Sequence, residues 1–435
     1  MHTRRALGVP SPDPGGAPRG RARLAGVAVL FAALLAAGCT TSDGGSEGTS
    51  EGDGSASTAE VPTTEAGTEA TGEPIRLGWV NTDTGATAIP VLTEGAQVAA
   101  DRINAHGGGL NGRPVELVTC STDGTPESSA KCANDLVAEG VVAVIEGGDL
   151  GSDAKIPILT DAGIATLGAS TLGTGQSLNP DAFFFAPPAT TYPAVEVDLA
   201  KEIGATNLTL LVPDVPQVPI VSDIGKEQAD LQGITFQVVT FDPAAPDFDA
   251  ALATITTNGS DAIATIATED WCEGMLRAAQ SAGFQGDLIL GTCAGTPDAI
   301  AATPNGEVYA LSSVWSPRSV DAAPEDAQVV IDEYLAAMDE ADLGDEAEGQ
   351  AFAGYAAVQQ AVWALSTIQG ELTAESVLAG LRTLKDAPNP LGQPITCDPR
   401  PYPGFSGCAK GWLMLATDAE GVSTPVSDGF MAPAS

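Results

Sequence analysis

Basic, aromatic and histidine side chains are scarce in this sequence, and the shortage of basic residues bears on its partners. Lys and Arg number 18 against 57 Asp and Glu, which gives a formal net charge of -39. A protein this acidic repels nucleic acid and anionic lipid headgroups, so we expect no direct contact with either. We attribute the acidity to the solubility of the protein and infer no partner site from it.

The sequence also lacks the motifs that carry common enzyme chemistry. Its histidines are His2 and His106, and His106 closes a predicted helix, where the dipole favours a protonated surface or capping residue. There is no G-x-S-x-G elbow, no H-E-x-x-H pair and no phosphate-binding loop. We therefore predict no enzyme, no cofactor and no metal site. A hydrolase built on scattered Asp and Glu is an alternative without positive support.

The N-terminus has the features of an export signal. Arg19, Arg21 and Arg23 precede an apolar run over residues 24–38 that is too short to span a bilayer permanently. The run ends in small residues followed by Cys39, and this order resembles the lipobox of bacterial lipoproteins, in which lipid joins the Cys thiol and cleavage leaves that Cys first. The resemblance implies a signal peptide over residues 1–38 and a lipid anchor at Cys39, on the outer face of the cell membrane. A stray or buried Cys at a secretory cleavage site is the alternative.

The segment after Cys39 is predicted to be a flexible linker over residues 39–73. Residues 40–73 contain eight acidic residues and no aromatic or basic side chain, so nothing there would drive collapse. Apolar, strand-like sequence begins at Pro74. The remaining ~360 residues exceed what one core usually organises, and two lobes are expected.

Seven cysteines minus Cys39 leave six, which fall into three local pairs. None has the C-x-x-C spacing of a zinc or redox site. In an oxidising compartment each short loop would contribute on the order of 3 kcal/mol by restraining the unfolded chain. Fifteen pairings are formally possible, and the sequential one is our prediction: Cys120 with Cys132, Cys272 with Cys293, and Cys397 with Cys408.

Apolar patterns of strand and helix type alternate from residue 75 onward. Strands are predicted at 75–80, 114–120, 141–145, 208–212, 235–240, 262–267 and 288–290. Helices are predicted around 96–103 up to the glycines 107–109, and at 128–139, 223–232, 248–257 and 273–282. This alternation indicates parallel sheets with helices on both faces. Two such units would enclose a cleft, and ligands bind at the carboxyl ends of parallel strands.

Four segments resemble a known family. Residues 95–118 contain a glycine run followed by Leu-Asn-Gly-Arg-Pro, and similar matches occur at 136–145, 276–291 and 354–358. Together they resemble the leucine/isoleucine/valine-binding family, the type I periplasmic binding proteins of ABC importers, from about Ile75 to the C-terminus. The resemblance implies an α/β fold of two doubly wound Rossmann-like lobes with a hinge, which closes on a small ligand.

The resemblance also implies the limits of the lobes. Lobe 1 would comprise residues 74–188 and 313–400, and lobe 2 residues 189–312 and 401–435. Three crossovers would join them, near Pro187 and Pro188, near Ser312 and Ser313, and between Arg400 and Lys410.

In lobe 1 the resemblance places ligand-binding residues after three successive strands. A ligand carboxylate would be bound by Thr84 and Gly85, for which an ordinary turn is the alternative, and by Ser152 in the loop 147–152. A ligand ammonium would be bound by the segment containing Ala169, Ser170 and Thr171.

In lobe 2 the predicted contacts follow the strand 262–267. Glu269 or Asp270 could pair with the ligand ammonium, or the two could simply begin the next helix, where acids favour the dipole. Trp271 could stack on the ligand or pack beneath Cys272. The loop 212–219 lacks the tyrosine that the family often has there, which weakens the implied branched-chain preference, and Gln217 is a possible replacement contact.

These observations predict an extracytoplasmic solute-binding lipoprotein of an ABC importer. It would be a monomer that captures a small polar solute, an amino acid (possibly branched-chain) or an amide, and delivers it to permease subunits in the membrane. Loop N–H groups and hydroxyls in a closed, water-excluding cleft would fix the ligand. The alternative is a ligand-sensing lipoprotein that signals to a membrane receptor.

Overall fold

The computed structural model describes residues 67–85, 88–171, 173–215, 218–266, 269–291 and 295–434. The predicted signal peptide, Cys39 and most of the predicted linker lie outside these ranges. No helix within them is long and apolar enough to cross a membrane. Ordered structure begins before Pro74, because Gly67 N donates to His106 O at 2.9 Å and Ala70 N donates to Asn104 O at 2.8 Å.

The first sheet has five strands, all parallel, in the order β2-β1-β3-β4-β5. Its strands are β1 (Ile75–Thr82), β2 (Val115–Thr122), β3 (Ala143–Glu146), β4 (Ala165–Gly168) and β5 (Ala182–Phe184). The helices between them are α1 (Pro90–His106), α2 (Pro126–Glu139), α3 (Ile156–Asp161) and α4 (Thr174–Leu178), with a 3-10 turn at Ser152–Ala154.

The second sheet has seven strands. The first helix after the first sheet is α5 (Tyr192–Glu202), preceded by a 3-10 turn at Ala189–Thr191. Next come β6 (Asn207–Pro213), α6 (Val218–Gln232), β7 (Thr235–Phe241), α7 (Phe248–Thr257), β8 (Ala262–Thr265), α8 (Glu269–Ala282), β9 (Asp287–Ile289), α9 (Pro297–Ala301) and β10 (Glu307–Ser312). Two strands from the end of the chain, β11 (Trp412–Asp418) and β12 (Ser423–Met431), complete the order β12-β11-β10-β9-β8-β6-β7. The pairings of β11 with β10 and β12 are antiparallel, so this sheet is mixed and not wholly parallel.

Between β10 and β11 the chain forms three helices, and the first two of them pack against α1. The three helices are α10 (Glu325–Glu340), α11 (Ala351–Ser366) and α12 (Ala374–Leu381), with 3-10 turns at Pro317–Ala322 and Gly344–Glu346. Helices α1 and α11 approach closely through glycines. A Cβ at Gly95 would lie 1.9 Å from the carbonyl oxygen of Ala351, and a Cβ at Gly354 would lie 1.9 Å from that of Leu92. Only glycine fits at these two positions.

Most predicted elements have their counterpart in the structure. Helix 248–257 has the predicted limits, and His106 is exposed in the last turn of α1 as predicted. Several boundaries were wrong, and the largest difference is at α6, which begins at Val218, five residues before the predicted start. Asn81 and Thr82 still belong to β1, so the following loop begins at Asp83, and α8 begins four residues earlier than predicted, at Glu269. Polar residues continue these elements because backbone pairing and packing, not side-chain polarity, set where they end.

Two of the three predicted disulfides are confirmed. Cys120–Cys132 joins β2 to α2 with a Cα–Cα distance of 5.7 Å, and Cys397–Cys408 has a Cα–Cα distance of 4.6 Å. Cys272 is buried on α8, while Cys293, its predicted partner, lies outside the described residues. The division into two lobes at the predicted residues stays a prediction.

Candidate ligand-binding site

The predicted lobe 1 residues follow strands that end at one edge of the first sheet. The strands are parallel, with Val80 paired to Glu146 and Glu146 paired to Gly168. The loops after β1, β3 and β4 therefore emerge side by side. They carry the residues predicted to bind the ligand: Thr84 and Gly85, Ser152, and Ala169 to Thr171.

A hydrogen-bonded network fixes the loop after β1. Asp83 Oδ1 accepts from Asn81 Nδ2 at 2.6 Å and from Thr93 Oγ1 at 2.7 Å, and Asp83 Oδ2 accepts from Ser121 Oγ. Trp79 Nε1 also donates to Thr93 Oγ1, at 2.9 Å. Residues of β1, α1 and β2 all contribute to this network, so these hydrogen bonds fix the course of the loop in the ligand-free protein.

Thr84 and Gly85 form an exposed turn at the end of this network. Thr84 Oγ1 donates to the carbonyl oxygen of Thr122 at 3.1 Å, which leaves its hydroxyl able to accept but not to donate. Gly85 has a φ of +91°, a conformation that favours glycine. The turn interpretation accounts for both residues, and their contact with a ligand stays a prediction.

The loop after β3 is held by a buried charge cluster that the sequence did not reveal. Lys155 Nζ lies 2.9 Å from Glu146 Oε2 and also contacts Asp149 Oδ2, and all three side chains are buried. Asp149 further accepts from Ser129 Oγ at 2.7 Å and from Thr122 Oγ1 at 3.1 Å. Burial raises the pKa of Glu146, and the Lys155 ammonium opposes the rise.

This charge cluster positions Ser152. Ser152 is buried in the 3-10 turn after Asp149, and its N–H donates to Asp149 O at 3.2 Å. The start of the same loop is fixed by Gly148 N, which donates to Asn81 Oδ1 at 2.8 Å. The only sequence signal for the cluster was the presence of Asp149 and Lys155 in one short stretch, and lysine is usually a surface residue.

The loop after β4 contains a buried hydroxyl that has no hydrogen-bond partner among the described residues. Thr171 is 5% exposed, and its Oγ1 makes no hydrogen bond in the described part of the chain. Ala169 and Ser170 are half-buried beside it. A buried hydroxyl left unpaired costs free energy, and buried polar groups without partners are rare in folded proteins. This observation agrees with the predicted ligand contact of Thr171, which stays a prediction.

The predicted lobe 2 contacts are described less completely. Gln217 lies outside the described residues, and of Glu269 and Asp270 only the backbone is described, as the first turn of α8. Trp271 is half-buried and meets the ring of Phe241 edge-on, with the ring centroids 5.2 Å apart. Trp271 thus packs against an apolar cluster that includes Cys272. Across the described ranges, no group of three or more His, Cys, Asp or Glu could hold a metal ion.

The sequence was compared with known families and proteins. Residues 74–400 match the model of a family described as periplasmic binding protein. The chain belongs to this family. No curated protein matches the sequence significantly.

Solved structures of transporter substrate-binding proteins resemble this chain over most or all of their own length. The branched-chain amino acid transporter substrate-binding protein LivJ from Streptococcus pneumoniae, in complex with isoleucine, is 19% identical with a TM-score of 0.66, covering 83% of this chain and all of its own. A fatty acid ABC transporter substrate-binding protein from Thermomonospora curvata is 18% identical with a TM-score of 0.66, covering 84% of this chain and 94% of its own.

A third similar structure is an ABC transporter solute-binding protein from R. palustris in complex with 4-hydroxybenzoate. It is 17% identical with a TM-score of 0.64, and the match covers 83% of this chain and 98% of the other. Identities this low establish the fold, and the family match establishes the class of protein. The predicted family and the predicted type I periplasmic binding protein fold are thereby confirmed, and with them the expectation of a solute-binding protein.

Proposed function

We propose that this periplasmic binding protein is the extracytoplasmic component of an ABC importer that captures a small carboxylate-bearing solute between two lobes. The observation that carries the proposal is the buried hydroxyl of Thr171 at the carboxyl edge of a parallel sheet, which makes no hydrogen bond with any residue that the structure describes. Ligands of open α/β sheets bind at this edge. A solute that accepts or donates a hydrogen bond there would relieve the cost of burying the hydroxyl.

The ligands named for the similar structures share one chemical group. Isoleucine, fatty acids and 4-hydroxybenzoate each carry a carboxylic acid. Loop N–H groups and hydroxyls bind carboxylates well because both oxygens accept hydrogen bonds. We assign the carboxylate to Ser152 and to the Thr84–Gly85 turn, in which the Thr84 hydroxyl would exchange its hydrogen bond to Thr122 O for one to the ligand. We assign the opposite end of the solute to Ala169, Ser170 and Thr171. Gln217, Glu269, Asp270 and Trp271 remain proposed contacts of the second lobe.

Attachment to the membrane belongs to the same proposal. A lipid on Cys39 would hold the protein at the outer face of the cell membrane, and residues 39–66 would give it reach toward the permease. The protein would act as a monomer and would carry out no chemistry on its solute.

The proposal is tested by isothermal titration of the purified full-length protein with the twenty amino acids, their amides, octanoate, 4-methylpentanoate and 4-hydroxybenzoate. We expect one chemical class to bind and to stabilise the protein, by about 2.7 kcal/mol at a hundredfold excess over Kd. Folded protein that binds none of these compounds would contradict the proposal.

A further inference from the structure

The segment 397–408, which we call the crossover loop, extends the first sheet. Phe184 N donates to Ser406 O at 3.1 Å, and Cys408 N donates to Phe184 O at 2.7 Å. Gly407 pairs with Phe184 in parallel. Residues 406–408 therefore continue the first sheet beyond β5, although β6 to β10 lie between the two segments in sequence.

Arg400 attaches the crossover loop to the same sheet a second time. Its Nη2 donates to the carbonyl oxygens of Pro180 and Ala182, at 2.7 and 3.0 Å, and its Nη1 donates to Phe405 O within the loop at 2.8 Å. The guanidinium lies over the ring of Phe183, 5.1 Å from the centroid. These charge-assisted bonds join the middle of the loop to the chain that enters β5, so the loop and the sheet should move as one body.

A disulfide closes the crossover loop at its base. Cys397 and Cys408 are bonded to each other, and both are buried. The backbone is held at the same point, because Thr396 N donates to Cys408 O at 2.9 Å and Cys397 N donates to Leu384 O at 2.8 Å. The chain therefore leaves the crossover loop next to the point at which it entered it, and the disulfide makes this arrangement covalent.

Residues 409–411 alone connect this disulfide to the second sheet. β11 begins at Trp412, whose Nε1 donates to Thr191 Oγ1 at 2.9 Å, beside the start of α5. Side chains hold the connecting stretch: two of its backbone N–H groups donate to Gln393 Oε1, at 3.0 and 2.8 Å, and one of its carbonyl oxygens accepts from Tyr402 Oη at 2.5 Å. Such bonds can break and form again as the stretch bends, without unpairing any strand.

We infer that the Cys397–Cys408 disulfide fixes the pivot of lobe closure, by confining the flexible part of the third crossover to residues 409–411. This inference rests on the proposed function, because it assumes that two lobes close on the solute. The cost of bringing the ends of a flexible connection together grows with its length. A connection that ran over residues 397–411 would therefore lower the population of the closed, binding-competent arrangement. The disulfide contributes to affinity in this way without touching the solute.

The experiment removes one disulfide at a time from the full-length protein. Cys397→Ser/Cys408→Ser opens the crossover loop. Cys120→Ser/Cys132→Ser is the matched control, because it opens a loop of similar size between β2 and α2, with a sequence separation of 12 instead of 11. Both double variants lose a similar restraint on the unfolded chain, so both should melt at a lower temperature than the wild type.

Hydrogen–deuterium exchange of the ligand-free proteins and calorimetric titration provide the two decisive readouts. We expect the crossover-loop variant to exchange the amides of residues 397–411 faster than the wild type does. We titrate with the twenty amino acids, octanoate and 4-hydroxybenzoate, and expect the variant to bind about tenfold more weakly whichever of these the wild type binds. The tenfold loss is that of a flexible connection roughly five times longer. The control should match the wild type in both readouts.

Wild-type affinity in the crossover-loop variant would overturn the inference, and so would an equal loss of affinity in the control, while solute binding itself would stand. If the folded wild type binds none of the probes, the proposed function fails. The exchange of residues 397–411 then still shows whether the disulfide confines the flexible stretch, and unchanged exchange would show that it does not.

An insertion tests the same pivot if the crossover-loop variant does not fold. Gly-Ser-Gly-Ser placed after residue 409 lengthens the connection and keeps the disulfide. We expect binding to weaken about fourfold, because the connection becomes roughly twice as long. The same insertion after Gly421, in the turn between β11 and β12, is the control and should leave affinity unchanged. Equal affinity of the two insertion variants would overturn the inference.

Discussion

At the residue scale, two buried polar groups make no hydrogen bond in the described structure and bear on the stability of the ligand-free protein, although other buried atoms, such as Ser406 Oγ and Gln360 Oε1, also make none. Thr171 follows β4 of the first sheet, and Glu196 faces the ends of β8 and β9 in the second. Such groups lower the stability of the ligand-free protein, and binding proteins keep them when a ligand completes their hydrogen bonds. Removing either polar group should therefore stabilise the ligand-free protein, and removing the Thr171 hydroxyl should also weaken ligand binding.

Replacing Thr171 by Val removes the hydroxyl and nearly preserves the shape of the side chain. We expect the binding free energy of the ligand to become less favourable by about 1 to 3 kcal/mol, because the ligand loses a hydrogen bond. The melting temperature of the ligand-free protein should stay equal or rise. Calorimetric titration and thermal unfolding provide the two measurements. Thr171→Ser keeps the hydroxyl and serves as the control. Unchanged affinity in Thr171→Val would remove this residue from the site.

Glu196 should make the stability of the ligand-free protein depend on pH. Its pKa is raised by burial, so the folded protein retains a proton that the unfolded chain loses. Stability is then greatest below the ordinary pKa of a glutamic acid and falls as the pH rises above it. Glu196→Gln removes this loss, and we expect its melting temperature to exceed that of the wild type increasingly from about pH 4.5 towards pH 7. Parallel melting profiles of the two proteins, with Glu202→Gln, which changes an exposed acid on the same helix, α5, as reference, would argue against a buried unpaired acid.

At the element scale, the loop between β3 and α3 depends on its buried charge cluster. Lys155 Nζ is the cation between Glu146 and Asp149, and the cluster supports the turn that contains Ser152. Loss of the cation would leave two buried acids close together, a strongly unfavourable arrangement.

We therefore expect Lys155→Met to destabilise the protein by about 3 to 5 kcal/mol and to weaken ligand binding in the fraction that remains folded. Urea unfolding measures the first effect and titration the second. Lys131→Met is the matched control, because Lys131 pairs with Asp135 on the surface of α2 with 75% of its side chain exposed. A similarly small effect of both substitutions would show that the cluster contributes little.

Sequence reasoning located elements better than it located buried charges. The alanines of α1 and the strand-like runs of β1 and β6 follow the periodicities of helix and strand, and glycines such as Gly107 ended the helices in the predicted places. Glu196 and Lys155 escaped notice because an acidic or basic residue in a helix or loop is by default assigned to the surface. Their burial depends on strands and helices distant in sequence, and no local pattern encodes it.

At the scale of the whole molecule, the two sheets are the bodies that a hinge would move. The predicted crossovers lie where the chain leaves β5 for α5, where it leaves β10, and between Arg400 and Lys410, where Gly407 pairs with Phe184. Closure buries a ligand by moving two lobes about such short connections. We expect the radius of gyration measured by X-ray scattering to decrease when a saturating ligand is added. An unchanged radius of gyration with bound ligand would contradict hinge closure. The Thr171→Val protein, which should bind the ligand more weakly, is the comparison at the same ligand concentration and should show a smaller decrease.

The glycine-mediated contact between α1 and α11 has a consequence for how the protein is made. The two helices touch backbone to backbone through Gly95 and Gly354, although most of the second sheet lies between them in sequence. Because synthesis begins at the N-terminus, α11 can pack against α1 only after residue 366 has been added. Contacts so distant in sequence form late and slowly. The side of α1 that α11 covers therefore stays exposed until most of the chain has been synthesised. Exposed apolar surface in a partly folded chain favours aggregation.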